Sequence, residues 1–365
     1  MEIENKTVES IPAVTIRFAG DSGDGMQLVG TRFTDTSALF GNDLATLPAF
    51  PAEIRAPQGT IAGVSSFQVR FGEGLIASSG DHADILVAMN PAALQVHLSD
   101  LKEHGLLIVN TDNFTSKNLK LANYETNPLE DESLAKKYRL ITVGMTSLVK
   151  TKLDDMDLTP KEKARSTNMF ALGLLYWLYE RDIQTTINFL NKKFKNKPLI
   201  SESNIKALKT GFYYGETIEV IKTTYKVGKA KYEPGKYRNI MGNQGLSLGL
   251  LAASQNNDID LFFGGYPITP ASDILHDLSK FKSFGIKTFQ AEDEIAGITS
   301  AIGAAFAGDL AVTASSGPGI ALKGEAIGLA TITELPLVII NIQRGGPSTG
   351  LPTKTEQSDL FQAIY

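Results

Sequence analysis

The chain has 365 residues, 42% hydrophobic and 21% charged, with a formal net charge of -5. That length exceeds one ordinary core, so two globular domains are expected, and mild acidity gives no electrostatic reason to expect nucleic acid or an anionic membrane as partner. The absence of cysteine excludes disulfides, thiolate zinc sites and cluster ligation by this polypeptide, and suits a reducing compartment, read as the cytoplasm.

The polar start, Met1 to Thr7, lacks the apolar core of a secretory signal. The longest apolar stretches, near 169–178 and 335–342, fall short of the roughly 20 residues a membrane helix needs. Val14 to Ala19 alternates, ends in Gly20-Asp21-Ser22-Gly23-Asp24-Gly25, and is followed by Met26, Leu28, Val29 and Phe33 at helical spacing. This reads as a strand, a glycine turn and a helix. Further strands are expected over 66–71, 84–89, 106–109 and 140–143, with helices over 168–178, 186–194 and about 203–221, which argues for a parallel sheet covered on both faces. Residues 226–238 are basic, carry Gly228 and Pro234-Gly235, and read as an interdomain linker or a long surface loop. A second series follows: helix 242–254, strand 259–263, helix 271–280, strand 287–290, helix 293–306, strand 310–314, helix 319–330 and strand 335–342. The expected fold class is α/β, two doubly wound, mostly parallel-sheet domains. The last residues fall inside a helix expected from about Gln357 and carry no C-cap signal, so a fragment is expected, with a terminal helix as the alternative.

Four segments of the second series each fall where an apolar run ends and a helix could begin: 264–270, 291–296, 315–319 and 343–350. Open α/β sheets gather their ligand groups at such places. Glu294 opens an amphipathic helix, where a carboxylate ordinarily only favours the dipole. Among small apolar neighbours, and with Thr269, Ser315 and Arg344 at adjacent strand ends, it could instead keep a raised pKa and share a proton with a heterocycle. Arg344 directly follows the run 335–342; it is either a surface arginine or a fork for a substrate carboxylate, with room made by Gly345 and Gly346. The glycines at 20, 23 and 25 miss the dinucleotide spacing, which disfavours a nicotinamide dehydrogenase. That turn could still receive an anion at a helix N-terminus or be a plain tight turn; Asp21 and Asp24 would repel an anion. Gly23-Asp24-Gly25 also begins like the metal-diphosphate motif of thiamine enzymes, but the asparagine needed roughly 25–30 residues later to complete a Mg²⁺ shell is missing, so no metal is assigned.

The four segments resemble the α subunit of 2-oxoacid:ferredoxin oxidoreductases. Tyr266-Pro267-Ile268-Thr269-Pro270 matches that family's signature residue for residue, Glu292 to Ala296 its glutamate helix, and Gln343 to Thr353 its substrate-side loop. Residues 1–200 resemble the γ-type domain that many members fuse ahead of α, 201–238 a helix and linker, and 239–365 an incomplete pyrimidine-binding domain of thiamine diphosphate enzymes. The resemblance implies thiamine diphosphate shared with a β subunit that carries Mg²⁺ and a 4Fe-4S cluster, coenzyme A as co-substrate, ferredoxin as electron acceptor, and an (αβ)2 assembly. It implies that Glu294 bonds the aminopyrimidine and promotes its imino tautomer, with Tyr266, Pro267, Ile268, Ser316 and Gly317 also on the cofactor, and Thr269, Arg344 and Thr353 on the substrate. Counting back from Gly303 favours Glu294 over Glu292. The expected reaction is oxidative decarboxylation of 2-oxoglutarate; pyruvate and branched-chain 2-oxoacids are alternatives, as is a non-catalytic coenzyme A or nucleotide-binding module.

Overall fold

A computed structural model describes residues 7–53, 56–218, 221–346, 354–356 and 359–364. The chain divides into two units, one of residues 1–51 and 55–236, the other of residues 52–54 and 237–365.

The first unit contains β1 (Thr7–Ser10), β2 (Ala13–Asp21), β3 (Asp43–Ala49), β4 (Val64–Gly72), β5 (Ala83–Ala88), β6 (Leu101–Asn110), β7 (Arg139–Val143) and β8 (Thr223–Lys226). Six of them form a sheet in the order β3-β4-β2-β5-β6-β7, and β1 pairs with β8. The pairs β2–β5, β5–β6 and β6–β7 are parallel, whereas β4 runs antiparallel to both β2 and β3. The expected parallel sheet therefore has an antiparallel margin. Sequence reasoning passed over β3, whose Pro48 argues against a strand; at a sheet edge the missing donor is tolerated.

All twelve residues of the helix Thr167–Leu178 are buried, as befits a helix that is apolar on every side. It packs on the helix Pro198–Thr217 so closely that a Cβ on Gly173 would lie 2.0 Å from the Leu208 carbonyl oxygen. The core joins this helix to Ile16, Phe18, Phe33 and Phe71. The helix expected near 203–221 thus begins earlier and ends sooner. Part of the expected linker is bonded to the first unit: the Ala230 N–H donates to the Gly41 carbonyl (2.8 Å), Asn42 Nδ2 to the Gly228 carbonyl (2.6 Å) and the Tyr232 hydroxyl to Asp43 Oδ1 (2.8 Å).

The second unit holds β9 (Leu261–Gly265), β10 (Lys287–Gln290), β11 (Leu310–Ser315) and β12 (Val338–Asn341), all parallel in the order β10-β9-β11-β12. Leu261, Phe263, Ile274, Leu278 and Val312 form one core cluster; Ile298, Ile302, Ala326 and Ala330 form another. The single helix expected over 319–330 is two helices, Gly317–Leu322 and Gly324–Ile332, which meet at Lys323. At the end of the chain the described helix is Leu360–Ile364; Gln357, where it was expected to begin, lies outside the described residues. Among the described residues no helix is long and apolar enough to cross a membrane.

Candidate active site

The order β10-β9-β11-β12 puts the ends of four parallel strands side by side, and the segments singled out in the sequence follow directly from them. The signature loop leaves β9. Ala291 leaves β10 and donates its N–H to the Gly265 carbonyl at 2.9 Å. Ser315 ends β11 and accepts from the Ile342 N–H at 2.9 Å, which brings Gln343 and Arg344 past the end of β12.

Glu294 is the first residue of the helix Glu294–Phe306, whose N-cap Asp293 accepts the Ala296 N–H at 2.7 Å. Capping of this kind fixes the start of the helix, and therefore the position of Glu294. Glu294 is buried at 9% exposure and Glu292 is exposed. Beside Glu294, Gly319 leaves room that no other residue would: a Cβ there would lie 1.9 Å from Ser315 Oγ, 2.9 Å from Glu294 Cγ and 3.1 Å from Glu294 Oε1. The hydroxyls of Ser315 and Ser316 are buried without hydrogen-bond partners.

Two residues before Gly319, at the start of the same turn, Gly317 stands against the other candidate: its Cβ would lie 3.0 Å from the Arg344 carbonyl oxygen. One helical turn, Gly317 to Gly319, thus touches the Arg344 main chain and the Glu294 side chain. Arg344 is 7% exposed, its Nε has no partner, and burial lowers its pKa. It makes no ion pair among the described residues. A buried guanidinium in that state suits an anionic ligand. Nearby, the buried Asp359 accepts from Asn341 Nδ2 at 2.5 Å.

The signature loop is held by its backbone: the Ile268 carbonyl accepts from the Ser272 N–H (2.9 Å) and the Pro270 carbonyl from Asn243 Nδ2 (3.0 Å). Pro267 and Ile268 are half-buried, while the side chains of Tyr266 and Thr269 are exposed. No hydrogen bond joins Thr269 to the Glu294 group among the described residues. Thr353 lies outside them.

Sequence reasoning missed Lys323. It is fully buried, and its Nζ donates to Thr313 Oγ1 at 2.8 Å and reaches the Glu294 carbonyl oxygen at 3.4 Å. Burial pushes the ammonium down to about 8, against the opposing pull of the Glu294 carboxylate. Its spacing, three residues after Ile320 and four before Ile327, places it within an apolar run but does not by itself say that it turns inward.

In the first unit, the acids of the glycine turn are used internally. Asp21 accepts the Gly59 N–H (3.0 Å), and Asp24 accepts the Asp21 N–H (2.8 Å). Burial pushes the Asp24 carboxyl up to about 6. Asp24 lines a polar cavity of about 320 Å³ with Asn110, Asn113, Thr146 and Asn168.

Residues 15–214, over half the chain, match the family described as pyruvate ferredoxin/flavodoxin oxidoreductase. The chain belongs to that family. Residues 257–364 match the family's thiamine diphosphate-binding region, described as pyruvate flavodoxin/ferredoxin oxidoreductase, thiamine diP-bdg. The 2-oxoglutarate oxidoreductase subunit KorA of Mycobacterium tuberculosis is 56% identical over 352 residues, which are 96% of this chain and 54% of that protein. The 2-oxoacid:ferredoxin oxidoreductase 1 subunit alpha of Sulfurisphaera tokodaii is 30% identical over 92% of this chain and 56% of its own. The solved 2-oxoglutarate:ferredoxin oxidoreductase of Magnetococcus marinus, with 2-oxoglutarate, coenzyme A and succinyl-CoA bound, aligns with a TM-score of 0.75 at 30% identity. That alignment covers 97% of this chain and 56% of that one. The chain spans about half the length of these relatives.

Proposed function

We propose that the chain is the α subunit, with a γ-type domain over residues 1–200 and a helix and linker over 201–238, of a 2-oxoglutarate:ferredoxin oxidoreductase. Such an enzyme oxidatively decarboxylates 2-oxoglutarate to its coenzyme A thioester and CO2 and passes electrons to ferredoxin. One observation carries the reading. A buried carboxylate, Glu294, lies beside the partnerless hydroxyl of Ser315, where the missing Cβ of Gly319 leaves both side chains room. These groups fit the polar edge of an aminopyrimidine, which offers both hydrogen-bond donors and acceptors. The names of the relatives favour 2-oxoglutarate over pyruvate or branched-chain acids.

When bound, thiamine diphosphate supplies the nucleophilic carbon and the electron sink for decarboxylation. The residues of this chain bind and orient. Glu294, fixed by the Asp293 cap and shielded from water, holds a proton at the ring nitrogen. Ser316, Gly317, Tyr266, Pro267 and Ile268 would line the cofactor. Arg344 pairs with a substrate carboxylate, and Thr269 and Thr353 supply hydroxyls to it. The diphosphate, Mg²⁺ and a 4Fe-4S cluster belong to a β subunit in an (αβ)2 assembly in the cytoplasm.

The test mixes the chain with its β subunit and follows 2-oxoglutarate-dependent reduction of a viologen dye. Glu294→Ala lowers turnover at least about a hundredfold, the usual scale for a proton-transfer group, and leaves assembly intact. Normal turnover in that variant refutes the assignment.

A further inference from the structure

Lys323 is a fully buried cation within an otherwise apolar run. Ile320, Ile327 and Ala330 continue the run in which it stands, so an apolar side chain would serve the packing. Enclosing a lone ammonium opposes folding, and ionisable groups kept under such conditions mark functional sites. Its anchors are specific: Thr313 on β11 at 2.8 Å and the Glu294 main-chain oxygen at 3.4 Å. It makes no ion pair among the described residues, and Glu294 is the charged group that acts on it through space. On the helix that follows it, Glu325 is exposed. Around Glu294 stand Asp293, occupied with the Ala296 N–H, the exposed Glu292 and, past the Gly317–Gly319 turn, Arg344 and Asp359.

Resting on the reading that Glu294 meets an aminopyrimidine, we propose that Lys323 is the positioning residue of that carboxylate. Anchored to Thr313, it fixes the first turn of the Glu294 helix and biases the shared proton off Glu294 and onto the ring nitrogen of the ligand. One proton is divided between two bases, and no electron moves.

The experiment uses the chain assembled with its β subunit. With thiamine diphosphate bound, the circular-dichroism band of the aminopyrimidine is titrated with pH; without it, thermal unfolding is recorded. Lys323→Met removes a cation and so makes the site harder to deprotonate. The band's midpoint rises by about one pH unit or more, the shift expected for losing one nearby opposite charge. kcat falls while the KM for the 2-oxoacid stays near its parent value, and the unfolding temperature is unchanged or higher. Thr313→Val keeps the charge, loosens its anchor, and gives a smaller shift in the same direction. Lys323→Gln supplies the same readout should the methionine variant not fold. An unmoved midpoint with a lowered unfolding temperature overturns the proposal and makes Lys323 structural. Should Glu294→Gln leave both the band and thiamine diphosphate affinity untouched, the underlying reading has failed, and the proposal with it.

Discussion

Replacing Gly319 by alanine sets helix propensity against packing at the Glu294 group. Within the helix Gly317–Leu322, alanine is favoured over glycine by roughly 1 kcal/mol, so propensity alone predicts a more stable protein. The added Cβ, however, would stand 1.9 Å from Ser315 Oγ and 2.9 Å from Glu294 Cγ. Ser315 can swing its hydroxyl, but it is 0% exposed, so the swing runs into packed neighbours. Overpacking of this kind costs roughly 1–3 kcal/mol. Less the propensity gain, the net loss is about 0–2 kcal/mol, a fall of a few degrees in unfolding temperature. The effect on ligand binding is larger, because Glu294 must move by several tenths of an ångström, and misplacement of about 1 Å can cost on the order of a hundredfold. Thiamine diphosphate affinity should fall about tenfold or more, measured by calorimetric titration of the assembly and set beside a thermal melt. An alanine variant that melts higher and binds the cofactor as well as the parent refutes the reasoning.

In the first unit, Gly173→Ala puts a methyl 2.0 Å from the Leu208 carbonyl oxygen; the obstacle is main chain and cannot rotate away, so the loss should reach the top of the roughly 1–3 kcal/mol range in denaturant unfolding. Asp24 has its carboxyl pushed from 3.8 up to about 6 by burial. A raised folded-state pKa gives stability that is complete below the unfolded value and is lost as pH rises through the folded one, so stability should fall between pH 4 and 6 by up to about 3 kcal/mol at 1.36 kcal/mol per unit. Asp24→Asn should abolish that fall and be more stable than the parent at pH 7; equal slopes in both proteins would count against the assignment. Arg344→Lys keeps the charge but loses the planar fork, and at roughly 1.5–3 kcal/mol for a charged hydrogen bond it should raise the KM for the 2-oxoacid about tenfold or more, read in the dye assay.

Particular residues show what the sequence could reveal and where it fell silent. The β2 strand and the Glu294 helix were legible because their apolar periods, 2.0 and 3.6, persist over whole elements. The glycines and prolines at 264–270, 315–319 and 343–347 marked strand ends, so the gathering of four segments at one sheet edge could be anticipated. Strand direction was not legible: the alternation in β4 is the same whether its neighbour runs parallel or antiparallel, and pairing with β2 and β3 decides it. The break at Lys323 was hidden for another reason. A lysine within an apolar run counts as one blemish in a helical pattern, and only the positions of Thr313, on β11, and Glu294, at a helix start, supply the partners that let it turn inward.

The distribution of unmet polar groups in the second unit points to what its sheet edge is built to receive. The buried side-chain atoms described there without a partner are Ser315 Oγ, Ser316 Oγ, Asn341 Oδ1, Arg344 Nε and Asp359 Oδ1. All lie at or just beyond the ends of β11 and β12, or on the segment bonded to Asn341. Each opposes folding by roughly 1–3 kcal/mol, so their clustering is not a by-product of packing. Their chemistry is mixed: hydroxyls that give or take, one guanidinium donor, and two oxygens, one of them on a carboxylate. A simple anion would satisfy Arg344 and be repelled by Asp359; a cation would do the reverse. A ligand set with donors, acceptors and a carboxylate at different places, such as an aminopyrimidine beside a 2-oxoacid, can satisfy both kinds of group at one edge.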